Sequence, residues 1–259
     1  MELFHRDLGG AGRPPLVLLP GLLGSGRNWQ TAGRDLAEFA HVFALDARNH
    51  GQSPHDPVMN YEAMVADTLA WLDAHRLPRV TLLGHSLGGK TAMLLACRHP
   101  ARVRQLVVVD IAPKDYHGAA DRREFAAMNE LDLGPLTSRA AAEQQFETRV
   151  PGWAMRKFLA TNLERDAEGR WRWQINLPVL TAALAGLEKS PLGPNDRFAG
   201  PALFVLGGKS NYVTAADRAV MAGHFPAARV ETLATAGHNP HLETREAFVA
   251  LVRTVLDPG

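Results

Sequence analysis

With 259 residues, 46% of them hydrophobic and 21% charged, the chain has the composition of a globular domain long enough to bury a substantial core. A formal net charge of +1 supplies no field for nucleic acid or an anionic membrane surface, and a single cysteine, Cys97, excludes an intrachain disulfide. The opening Met1-Glu2-Leu3-Phe4-His5-Arg6-Asp7 is too polar for a signal peptide and no apolar run approaches bilayer length, so a soluble cytoplasmic protein without a membrane span is expected.

Residues 1–9 read as a short edge strand, and Gly9-Gly10-Ala11-Gly12-Arg13-Pro14-Pro15 as a turn. Leu16-Val17-Leu18-Leu19 is continuously apolar, as a strand buried on both faces should be, and Pro20-Gly21-Leu22-Leu23-Gly24-Ser25 ends it. A helix is predicted from about Trp29 to Phe39, then a strand His41-Val42-Phe43-Ala44-Leu45 closed by Asp46-Ala47-Arg48-Asn49-His50-Gly51-Gln52-Ser53-Pro54. Asp46 and Arg48 read as residues that shape this turn. Met64, Val65, Thr68, Leu69 and Leu72 recur at helical spacing between Tyr61 and His75. The apolar run from Val80 leads into Gly84-His85-Ser86-Leu87-Gly88, and the helix that follows should stop near His99, because Pro100 disfavours helical backbone at its predecessor. Gln105-Leu106-Val107-Val108-Val109 is the next buried strand and ends in Asp110. From about 113 to 200 no clear buried strand appears, only helical segments around 122–129, 138–150, 155–161 and 178–187. Alternation resumes with Ala202–Leu206, a helix near 215–225, the strand Arg229–Leu233 and a closing helix over 243–256. The pattern predicts an α/β core, residues 1–112 and 201–259, with a mostly parallel central sheet flanked by helices, interrupted by a helical cap over 113–200.

Gly-His-Ser-Leu-Gly between a strand and a helix has the context of a nucleophile elbow, in which a strained turn lifts Ser86 above the sheet edge. The same pattern also fits a bare glycine-rich turn or a phosphate loop. A serine hydroxyl needs a base and a group that orients the base. His238, in the loop after the last strand, falls at the same sheet edge and is the candidate base; His241 opens the next helix and is weaker, and His85 should point away from the nucleophile. The loop Gly207-Gly208-Lys209-Ser210-Asn211-Tyr212-Val213 holds no carboxylate. Asp110 ends the strand beside the elbow strand and is the candidate acid, with Asp217 and Glu243 as rivals and Ser210 as a secondary hydrogen-bond donor to the pair. The backbone N–H groups of Leu87 and Leu22 are the candidate oxyanion donors.

These segments resemble the α/β-hydrolase family over essentially the whole chain. Arg-Asn-His-Gly-x-Ser-Pro and Asp110-Ile111-Ala112-Pro113 are similar to the bacterial YbfF-type esterases and the eukaryotic ABHD-type hydrolases. The chain departs from the family at Pro20, where relatives often carry His before the Gly. The resemblance implies an α/β-hydrolase fold with a helical cap, a Ser86–Asp110–His238 triad whose acid follows the strand after the elbow, and no cofactor or metal. It implies a serine hydrolase that cleaves acyl esters or thioesters through an acyl-enzyme, and the modest size and aromatic content of the cap predict a preference for short- to medium-chain acyl groups. Carbon–carbon bond hydrolysis or cofactor-free perhydrolysis on the same triad, and a small-molecule binding protein with a vestigial triad, are the rival readings. The cap is rich in aromatics, and Phe146, Trp153, Phe158 and Trp171 are predicted to line the substrate pocket together with Ser210. The partner is a small-molecule acyl ester or thioester, no nucleic acid is expected, and nothing in the sequence fixes an oligomeric state.

Overall fold

The computed structural model describes residues 1–117 and 122–256; residues 118–121 of the predicted cap and residues 257–259 lie outside the described residues. Strands β1 (His5–Asp7), β2 (Pro15–Leu19), β3 (His41–Leu45), β4 (Val80–His85), β5 (Val103–Val109), β8 (Ala202–Gly207) and β9 (Ala228–Leu233) form one sheet in the order β1-β3-β2-β4-β5-β8-β9. The β1–β3 pair is antiparallel and every other pair is parallel. This is the mostly parallel sheet expected from the alternation.

Side chains along a strand alternate between faces, and here the alternation separates two apolar layers. Val17, Leu19, Leu82, Val108 and Phe204 pack on one face with α2 (Tyr61–Ala74), α3 (Leu87–Arg98) and Met221 of α8 (Arg218–His224). Leu16, Leu18, Leu83, Val107 and Val205 pack on the other with Leu36 of α1 (Gln30–Leu36) and with Phe248 and Val252 of α10 (Arg245–Leu256). Continuous apolar strands follow from this double burial. The predicted first helix is shorter at its end than its sequence pattern, because Phe39 N turns back to the Leu36 carbonyl in a tighter turn at 2.9 Å. The closing helix is two, α9 (Pro240–Glu243) and α10, broken at Thr244, whose backbone is not helical.

Between the neighbouring strands β5 and β8 the chain inserts α4 (Arg123–Glu130), α5 (Arg139–Phe146), α6 (Trp153–Ala160), a hairpin of β6 (Leu163–Arg165) and β7 (Trp171–Trp173), and α7 (Leu177–Glu188). The hairpin was not apparent from the sequence. Each strand has three residues, too few to display a period, and its turn is set by Asp166, whose side chain accepts from the amides of Glu168 and Arg170 at 3.1 and 2.8 Å. Insertion and sheet share one continuous apolar layer: Phe125, Met128, Phe146 and Leu159 belong to the same cluster as Val108 and Phe204. The carboxyl ends of β2, β4, β5, β8 and β9 therefore open at one edge, under the insertion.

Candidate active site

Ser86 follows the last residue of β4 and precedes the first of α3, with φ 50° and ψ −116°. A non-glycine residue in this region is strained, and such strain persists only where the surroundings enforce it. They do so here through glycine contacts: a Cβ on Gly84 would lie 2.2 Å from the Gly88 carbonyl oxygen, and one on Gly88 would lie 2.3 Å from the Leu19 carbonyl oxygen. Strand, turn and helix are thus pressed together more closely than side chains permit.

Asp110 directly follows β5 with φ 49°, buried, and its carboxylate is engaged on both oxygens. Oδ1 accepts from the Gly207 amide at 2.9 Å, and Oδ2 accepts from Ser210 Oγ and from His238 Nδ1, the latter at 2.8 Å. An ionised carboxylate can only accept, so Nδ1 carries the proton and Nε2 is left as the basic nitrogen. The rival acids are occupied elsewhere. Asp217 pairs with Lys114 at 2.7 Å and caps its own turn through Thr214 N at 2.7 Å. Glu243 accepts from the Gly237 and Asn239 amides at 2.6 and 3.0 Å, bracing the loop on either side of His238.

Ser86, Leu22 and His238 line one cavity of roughly 900 Å³ beneath the insertion. Among the described residues no direct hydrogen bond joins the Ser86 hydroxyl to the His238 ring; such contacts are often long in unliganded sites and tighten when substrate binds. Leu87 opens α3, so its N–H has no acceptor within the helix. A smaller chamber of about 30 Å³ adjoins this cavity at Ser86, lined by Leu22, Leu87, Ile111, Leu184, Leu187 and Tyr212 and by the polar residues Tyr61, Lys90, Arg122 and Glu188 among others. Gly21 makes room for the elbow beside it: a Cβ there would lie 2.8 Å from His85 Nδ1 and 3.3 Å from Ser86 Cβ.

The histidines divide by environment. His85 was expected to point away from the nucleophile, but it lines the same cavity, because its Nε2 meets the His238 carbonyl oxygen at 2.8 Å and draws the ring under that loop. Burial holds His85 well below the ordinary histidine range, so it donates as a neutral ring. His241 is buried and stacked on Trp29 at 4.1 Å, and burial pushes it down to about 3. His50, in the Asn49-His50-Gly51 turn, is pushed down to about 4 by burial. That turn is structural throughout: Asp46 accepts from Gly26 N at 2.6 Å and Gln52 N at 2.8 Å, and Arg48 pairs with Asp67 at 2.6 Å.

Of the predicted pocket aromatics, only Phe158 lines the cavity. Phe146 is fully buried in the core and stacks on Trp173 at 6.5 Å. Trp153 is 61% exposed, with the Lys157 ammonium 4.5 Å above its ring. Trp171 lies under the Arg139 and Arg165 guanidinium groups, 5.8 and 4.3 Å from the ring centroid. Ser210 serves Asp110 and does not line the cavity. Composition marked the insertion as aromatic but could not tell which rings face inward. Met155 of the insertion also lines the cavity, and Tyr116, Arg122, Phe125 and Tyr212, which line it too, were not singled out. For Tyr212 a signal existed: it belongs to the loop at the carboxyl end of β8, at the same edge as His238. Among the described residues, no three His, Cys, Asp or Glu side chains gather to hold a metal ion, and no helix is long and apolar enough to cross a membrane.

A strained serine between a parallel strand and a helix, with a carboxylate–histidine pair contributed by later strand ends, defines a class of fold. Residues 14–244 match the family model for the alpha/beta hydrolase fold, and the chain belongs to that family. It is 37% identical over 246 residues to esterase YbfF of Escherichia coli K12, covering 94% of this chain and 93% of that protein. It is 39% identical over 248 residues to the sn-1-specific diacylglycerol lipase ABHD11 of Xenopus tropicalis, covering 93% of this chain and 77% of that one. A solved structure of a marine microorganism esterase superposes with a TM-score of 0.94 at 34% identity, over 97% of this chain and 98% of the other.

Proposed function

We propose that the protein is a serine hydrolase that cleaves short- to medium-chain acyl esters or thioesters through an acyl-enzyme. The observation that carries this reading is the Asp110–His238 pair, 2.8 Å from Oδ2 to Nδ1, with His238 and the strained Ser86 facing one cavity. In the first step Ser86 Oγ bonds to the acyl carbon while its proton passes to His238 Nε2 and the carbonyl electron pair moves onto oxygen. Collapse of that tetrahedral species breaks the bond to the leaving oxygen or sulfur, which takes the proton from Nε2. Water repeats the sequence on the acyl-enzyme and releases the acid. The Leu22 and Leu87 N–H groups stabilise the oxyanion, aided by the positive end of α3.

Two features support the substrate class. YbfF and the marine enzyme are named as esterases and the Xenopus relative as a diacylglycerol lipase. The chamber beside Ser86 is small and walled in part by Leu184 and Leu187 of α7, whereas the adjoining cavity is wide. We assign the acyl group to the former and the alcohol or thiol part to the latter, with residues 113–200 acting as the cap that covers both. A panel of esters and thioesters of graded acyl length tests this, run on the parent and on Ser86→Ala. Turnover should peak at short chains in the parent and be lost in Ser86→Ala; ester turnover within tenfold of the parent in Ser86→Ala removes the serine from the mechanism.

A further inference from the structure

The loop after β8 carries no carboxylate, yet it covers a face of the candidate base. The Tyr212 ring lies on the His238 imidazole, with centroids 3.7 Å apart and planes 14° from parallel. Both ends of this contact are fastened. Tyr212 N donates to Ser210 Oγ at 3.2 Å, and Ser210 Oγ donates to Asp110 Oδ2. The Tyr212 carbonyl accepts from the Tyr116 hydroxyl at 3.0 Å, and that hydroxyl accepts from the Ala112 amide at 2.9 Å. The stacked ring is therefore tied to the segment that leaves Asp110, the residue that fixes His238 Nδ1. The Tyr212 hydroxyl itself has no hydrogen-bond partner among the described residues.

On these contacts, and resting on the serine-hydrolase reading above, we propose that Tyr212 is a positioning residue that sets the plane of His238 and stabilises its protonated form. A single hydrogen bond from Nδ1 leaves the imidazole free to swing about that bond, and a flat ring 3.7 Å away removes this freedom. When Ser86 transfers its proton, His238 becomes a cation. The face of an aromatic ring carries the negative part of its quadrupole and attracts a cation laid against it. The other groups around His238 do not supply this. His85, from β4, sits 4.7 Å away at 50° and is held neutral by burial; His241, from α9, packs behind His85 and is also neutral. Glu243 is taken up by the Gly237 and Asn239 amides, and Asp110 acts in the plane of the ring at Nδ1.

The test compares Tyr212→Leu, which keeps the face apolar but removes the π system, with Tyr212→Phe, which retains it. Each variant is checked for folding by thermal melting and assayed for ester hydrolysis across pH. For Tyr212→Leu the plateau kcat should fall by about tenfold, while the acid limb moves to lower pH by about 0.5–1 unit. The two effects share one cause, because a less stabilised imidazolium both protonates at lower pH and raises the barrier. Tyr212→Phe should restore the plateau and the limb. A residue that merely packs the loop lowers the melting temperature and leaves the limb in place. Tyr212→Leu with the parental plateau and limb overturns the proposal, and so does equal loss in both variants with an unmoved limb. If the leucine variant does not fold, Tyr212→Met provides the same comparison. An inactive parent, or one whose activity survives Ser86→Ala, sinks the serine-hydrolase reading instead, which keeps the two failures distinct.

Discussion

Asp110 accepts three hydrogen bonds on its two oxygens, from Gly207 N, Ser210 Oγ and His238 Nδ1, and in the proposed mechanism it is the group that orients the base. Replacing it with Asn removes the charge and presents an N–H donor or a neutral oxygen where Nδ1–H needs an anion. In a serine protease the same change costs ~10⁴ in kcat, and a loss of that order is expected for Asp110→Asn. Asp217→Asn disturbs only the ion pair with Lys114 and the cap on Thr214, so its steady-state turnover should stay within a few-fold of the parent. A folded Asp110→Asn enzyme with near-parental kcat removes Asp110 from the mechanism. Ser210→Ala takes away one of two donors to Oδ2 and leaves Gly207 and His238 in place, so a mild loss of a few-fold is expected in the same assay. Asp110 was legible in the sequence because strand order puts the ends of β4 and β5 side by side. Ser210 was legible because it lies in the one loop that should have held an acid and does not. His85 was misplaced because its bond is to the His238 carbonyl, a contact across 153 positions of sequence that no local pattern encodes.

At the scale of elements, strands with continuous apolar runs and helices with clear spacing could be read in advance; rings on a two-sided insertion could not. α6 sends Leu159 into the apolar layer shared with the sheet and Met155 and Phe158 to the cavity, while α5 sends Phe146 into the layer, so an aromatic at helical spacing in the insertion has two possible destinations. Phe146 took the core and Phe158 the cavity. The difference is measurable. Phe146→Ala opens a void beside Trp173 and should destabilise the fold by about 3–5 kcal/mol, seen as a lower denaturation midpoint, with kcat/KM of the folded enzyme little changed. Phe158→Ala should do the reverse, shifting KM or chain-length preference more than stability. A Phe146→Ala enzyme of parental stability with altered chain-length preference contradicts this division. The buried ammonium of Lys90 shows how the insertion is anchored: it donates to the carbonyls of Glu188 and Lys189 at 2.8 and 2.7 Å, where α7 ends, and burial pushes its pKa down to about 7. Cys97 is half-buried on α3, and burial pushes its pKa up to about 12, well away from a reactive thiolate.

Across the whole molecule, three buried histidines make stability depend on acid. His50 and His241 are pushed down to about 4 and about 3 in the folded state, and His85 is also lowered, in each case chiefly by burial. In the unfolded chain these groups protonate near 6.5. As pH falls below that value the unfolded state binds protons that the folded state refuses, so stability drops. The loss stops growing for each group once its folded-state value is passed. Stability should therefore fall between about pH 6.5 and 4 with a slope of up to about 1.4 kcal/mol per pH unit for each histidine, and His50→Gln should flatten it in chemical denaturation series. A denaturation midpoint constant over that range contradicts the burial of these rings in neutral form. The fold as a whole was open to reading from sequence because parallel strands, crossover helices and the elbow leave strong local patterns. The cavity was not, because its walls come from loops and helices that meet only once the chain has closed. The central claim is that this closure presents Ser86 as the one activated nucleophile. A fluorophosphonate probe, followed by intact-mass and peptide mass spectrometry, tests it most directly. Stoichiometric labelling at Ser86, abolished in Ser86→Ala and strongly slowed in Asp110→Asn, is the outcome expected; labelling at another residue, or undiminished labelling of Ser86→Ala, contradicts it.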